Sequence, residues 1–112
     1  MAPFGYGRWD AAAQAHWAAG ENQANEDAAD AFAAEGAFDP AATRAALAAF
    51  GSPVLVLAGG LDLQRPPRVS AEFAAMFPAA QLVFQPGASH YPWLDDAGRF
   101  VSTVTAFLED RL

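Results

Sequence analysis

Hydrophobic spacing changes character near Gly51. The first fifty residues are dense in Ala with almost no β-branched residues, a composition that favours helix over strand. Three helices are expected there. Asp10 is placed to cap one over residues 11–19, with Gly20 as its break. A second runs over 21–35, polar through Glu21-Asn-Gln-Ala-Asn-Glu-Asp27, and stops at Gly36. The third starts with Asp39 as N-cap and Pro40 in the first helical position, and Gly51 supplies a left-handed residue after Phe50.

After Pro53 the pattern alternates strand, helix, strand, helix. Residues 54–57 are continuously apolar, as in a strand buried on both faces. Pro66-Pro67 open a helix reaching Met76, which Pro78 ends. Its apolar positions Val69, Phe73, Met76 and Phe77 recur at helical spacing. Residues 82–84 form the second strand, and a last helix starts near Asp95-Asp96 with a stripe of Phe100, Val104, Phe107 and Leu108. Strand, helix, strand predicts an α/β fold with a right-handed parallel crossover. Two parallel strands alone leave faces and edges uncovered, so a further strand is expected beside 54–57 that this sequence does not encode.

Each strand ends in glycine and then offers one polar residue. Val54-Leu-Val-Leu-Ala-Gly-Gly-Leu-Asp62 delivers a carboxylate, and Leu82-Val-Phe-Gln-Pro-Gly-Ala-Ser-His90 an imidazole. The C-terminal edge of a parallel sheet is where ligands and chemistry sit. An imidazole near its unperturbed value of ~6.5 can take and return a proton at neutral pH. A carboxylate beside it fixes the ring tautomer and stabilises the imidazolium. Glycine ahead of each residue lets the chain leave the strand without a Cβ clash. Asp62 also reads as a turn-capping aspartate.

A net charge of −7 with pI near 4.4 excludes the basic footprint that nucleic-acid binding requires, and offers no attraction to anionic membranes. The absence of Cys removes disulfides, thiolate chemistry and Cys-based zinc sites. No apolar stretch approaches the ~18 residues of a membrane span, and no basic-then-apolar leader is visible. The expectation is a soluble, cytoplasmic protein with no nucleic-acid or membrane partner. His16 lacks a second ligand nearby in sequence and reads as a surface or packing residue. Trp9 and Trp17 read equally as pocket walls or packing, as do Tyr91 and Trp93. Gly59-Gly60 lacks the other glycines and the Lys of a phosphate loop.

Pro53-Val-Leu-Val-Leu-Ala-Gly-Gly-Leu-Asp62, Pro66-Pro67, Phe77-Pro78 and Pro86-Gly-Ala-Ser-His90-Tyr-Pro-Trp-Leu-Asp95 followed by a helix resemble the C-terminal third of an α/β-hydrolase. That resemblance implies that Gly59-Gly60-Leu61-Asp62 holds the triad acid and Gly87-Ala88-Ser89-His90 the triad histidine. It implies a helical cap-like segment at 1–50 and the C-terminal part of the hydrolase core at 51–112. The implied substrate is a small-molecule ester, amide or related compound, and no cofactor or metal is implied. Family members with an Asp nucleophile use the same acid and base on epoxides or carbon–halogen bonds.

One part of the pattern is missing. No G-x-S-x-G elbow occurs, and Ser52, Ser70, Ser89 and Ser102 do not lie on a strand–turn–helix elbow. The expectation is therefore a fragment, truncated product or piece of a split hydrolase, inactive alone. The alternative is a non-catalytic α/β interaction module whose exposed strand edge pairs with another copy or another protein.

Overall fold

A computed structural model describes residues 2–110. A single 3-10 turn, Ala2–Gly5, leads into three helices: α1 (Ala11–Gln23), α2 (Glu26–Phe32) and α3 (Pro40–Ala49). Then follow β1 (Val54–Gly59), α4 (Pro67–Ala74), β2 (Ala80–Gln85), the short α5 (Pro92–Asp95) and α6 (Ala97–Glu109). The fold is mixed α/β with a two-stranded parallel sheet in which Val54 pairs with Ala80 and Gly59 with Gln85. Residues 54–58 of β1 are half-buried. The sequence reading of a strand buried on both faces is corrected by that half-burial, while the expected open edge is present: among the described residues β1 has one neighbouring strand.

Caps set the helix starts. Asp10, Asn25, Asp39 and Asp96 each accept, on a side-chain oxygen, the amide three residues ahead, at 2.9, 2.9, 3.0 and 3.0 Å. Two glycine expectations fail. Gly20 lies inside α1, exposed and touching nothing, where glycine costs only ~1 kcal/mol relative to alanine. The interruption comes instead at Ala24 and Asn25, because the Asn25 cap starts a new helix. Gly51 is not left-handed either: α3 ends with Phe50 in an extended conformation. Gly36, which follows α2, does have φ of +79°. The helix from Pro67 stops at Ala74, leaving Met76 and Phe77 in the turn before β2.

The most buried residues gather where the strands end. Ala88, Ser89 and Gln85 are at most 1% exposed, and Tyr6, Asp62 and Gly59 are also buried. The helical first half contributes little to this core. No residue of α2 or α3 is buried, and Phe32 and Phe38 pair with each other while largely exposed. Among the described residues, no helix is long and apolar enough to cross a membrane.

Candidate functional site

Two backbone turns, one after each strand, build the site against each other. After β1 the chain turns through Gly60 and Leu61, whose amides donate to the carbonyls of Gln85 (3.0 Å) and Ala88 (2.9 Å). The turn that bears the acid is therefore bonded to the turn that bears the imidazole. Gly59 is required by this approach, since a Cβ there would run into the carbonyls of Ser89 and Ala88. Gly87 is required for another reason: its φ is +71°, a left-handed conformation that side chains disfavour. Gly60 meets neither condition.

The two predicted residues meet. Asp62 Oδ2 lies 3.0 Å from His90 Nδ1. Asp62 Oδ1 accepts the amides of Gln64 at 2.8 Å and Arg65 at 3.0 Å, so the residue is both a turn cap and the partner of the imidazole. Burial by itself pushes the Asp62 carboxyl up. The Arg65 amide, the His90 ring and the Gln64 amide, together with the charge on the imidazole, outweigh burial, and the net shift is downward. An ionised carboxylate only accepts hydrogen bonds, so Nδ1 carries the proton. This leaves Nε2 as the basic nitrogen, on a side chain that is 33% exposed.

Because the Asp62 carboxyl is held low, it contributes stability that is fully present above the ordinary carboxylate value of ~3.9. That contribution is lost as pH falls through the lower folded value. The urea midpoint of wild type minus that of Asp62→Asn is therefore expected to shrink as pH falls below about 4, and a difference that stays undiminished there would contradict the assignment.

One cleft reaches the pair, and another is lined by residues next to them in sequence. The first, of about 240 Å³, reaches Asp62, Ser70 and His90 and is lined by all four residues 56–59. Consecutive strand residues face opposite sides, so this cleft follows the strand edge. The other, of about 460 Å³, is lined by Phe4, Trp17, Leu63, Gln64 and Tyr91. Tyr91 packs edge-on against His90, with ring centroids 5.2 Å apart, and also contacts Tyr6 and His16. His16 is thus a packing residue, hydrogen-bonded through Nδ1 to the Tyr6 hydroxyl at 2.7 Å. Burial, followed by the neighbouring Tyr91 and Asp95, raises the Tyr6 hydroxyl above its usual value. Among the described residues, no group of three or more His, Asp or Glu is arranged to hold a metal.

Several residues that shape the site were not identified from sequence. Ser89 donates its hydroxyl to the Phe4 carbonyl (3.1 Å), and Asp95 accepts the amides of Gly7 and Ser89. Gln85 ties β2 to the carbonyls of Pro92 (2.9 Å) and Asp96 (3.2 Å). Backbone acceptors carry no sequence signature, which is why these contacts went unread. No protein-family model and no curated protein matches the sequence.

Proposed function

We propose that Asp62 and His90 are the acid and base of an α/β-hydrolase-type site, with residues 51–112 forming the C-terminal part of its core and 1–50 a cap-like segment. The observation that carries this reading is the 3.0 Å Asp62–His90 contact at the sheet edge, with the second carboxylate oxygen held by two backbone amides. In such a site Asp62 fixes the imidazole and His90 Nε2 takes a proton from a nucleophile attacking an ester, amide or related bond. The imidazole then returns the proton to the leaving group. Ser89 is committed to the Phe4 carbonyl, Ser70 lies within α4, Ser102 within α6, and Ser52 precedes β1 at the end of the strand away from Asp62. With no serine on a strand–turn–helix elbow, this reading has the nucleophile supplied by a segment outside these 112 residues.

Without a nucleophile and oxyanion donors, little hydrolysis is retained. The chain is expected to hydrolyse p-nitrophenyl esters no faster than its His90→Ala variant. Turnover that vanishes in that variant would show that the chain holds its own nucleophile.

A second reading is favoured by the open edge of β1. Each of Val54, Leu55, Val56 and Leu57 gains roughly 1.5–3 kcal/mol from full burial, yet all are half-buried. This reading makes the chain a non-catalytic α/β interaction module whose β1 edge pairs with a second copy or with another protein. Sedimentation is expected to show self-association that increases with concentration. A monomer at high concentration with rigid near-ultraviolet circular dichroism would contradict it.

A further inference from the structure

The turn bearing His90 is held by a stretch of chain that plays no part in the acid–base reading. Residues 4–7 lie across it. The Phe4 carbonyl accepts the Ser89 hydroxyl at 3.1 Å, and the Gly5 carbonyl accepts the His90 amide at 2.9 Å. The Gly7 amide donates to both oxygens of Asp95, at 2.9 and 3.0 Å. One of those oxygens also accepts the Ser89 amide at 2.9 Å. A Cβ on Gly7 would run into the Gly87 carbonyl, so the two segments meet backbone to backbone. Asp95, which belongs to neither segment, accepts amides from both, and a carboxylate does so with charge-assisted hydrogen bonds.

The imidazole is one-third exposed, bonded through Nδ1 to Asp62 and packed edge-on against Tyr91, and the turn that bears it depends on a left-handed Gly87. We propose that Asp95 is a positioning residue. By fastening residues 4–7 to the turn, it fixes the backbone from which His90 reaches Asp62. The docked N-terminal segment is then a condition for the acid–base pair, although neither it nor Asp95 bonds the ring nitrogens. The proposal rests on reading Asp62 and His90 as acid and base.

Asparagine at position 95 keeps the size of the side chain but offers one carbonyl oxygen in place of two carboxylate oxygens. With its oxygen in the place of the one that accepts both amides, its NH2 group faces the Gly7 amide, donor against donor, so the tether to residues 4–7 is weakened. The test is proton NMR of the 15N-labelled full chain, reading the downfield His90 Nδ1–H resonance and the hydrogen exchange of the His90 amide. Wild type is expected to show the resonance and Asp62→Asn to abolish it, with the His90 amide still protected. In Asp95→Asn the resonance is expected to broaden or vanish although Asp62 is intact, and the His90 amide to exchange about tenfold faster or more. Wild-type behaviour of both signals in Asp95→Asn would overturn the positioning role and leave the acid–base pair standing. A resonance missing from wild type itself would overturn the acid–base reading instead. If Asp95→Asn does not fold by circular dichroism, Gly7→Ala decides, because its Cβ would meet the Gly87 carbonyl and the Asp95 carboxylate and so disrupt the Gly7 tether with Asp95 itself unchanged. The same paired changes are expected, and unchanged signals would overturn the proposal.

Discussion

Gly59→Ala is expected to destabilise the C-terminal half by about 3 kcal/mol, at the upper end of what overpacking costs. The added methyl meets the carbonyls of Ser89 and Ala88, and neither is the movable end of a flexible side chain. Relief requires the His90 turn to back away from β1. That movement would strain the bond from the Leu61 amide to the Ala88 carbonyl and the contact between Asp62 and His90. Gly60→Ala is the control. Its Cβ would lie 3.6 Å from the Gln85 carbonyl and its φ is not left-handed, so a change within about 1 kcal/mol is expected, and mild stabilisation is allowed. Urea denaturation of both variants checks the contrast. Equal midpoints would mean that the two turns are not packed as described.

The second large effect is chemical. Asp62→Asn keeps an oxygen for the Gln64 and Arg65 amides, so the turn survives. Its NH2 group replaces the acceptor facing His90 Nδ1, which drives the ring proton to Nε2, the nitrogen that the proposed function needs bare. In an assembly that supplies the nucleophile, kcat is expected to fall by about 10⁴, the scale seen when a triad carboxylate becomes an amide. Asp62→Ala additionally leaves two turn amides without their acceptor and is expected to cost about 2–3 kcal/mol of stability, read by urea denaturation. Loss of activity in the alanine variant with full retention in the asparagine variant would assign Asp62 to structure alone.

The meeting of Asp62 and His90 was legible because two strand patterns, each ending in glycine and a polar residue, place both at one sheet edge. The starts of α1, α3 and α6 were legible for a similar local reason, since a capping side chain and the amide it accepts are three residues apart. Helix ends were less so. Gly20 and Gly51 look like stops, but an exposed glycine with open space around it imposes no conformation, and Asn25 set the real boundary. The strap over residues 4–7 was unreadable for a different reason: its contacts run through backbone carbonyls and amides, which every sequence has. Asp95 shows both sides of this. As half of Asp95-Asp96 it read as a helix start, yet Asp96 alone caps α6, and Asp95 bonds a segment that only the fold brings near.

The direct measurement is the tautomer of His90, from 15N shifts of the ring nitrogens in the intact chain at mildly alkaline pH. The expected spectrum has Nδ1 protonated and Nε2 bare in wild type, reversed in Asp62→Asn. A ring that averages between tautomers in wild type, or carries its proton on Nε2, would contradict an Asp62 that prepares His90 to act as a base.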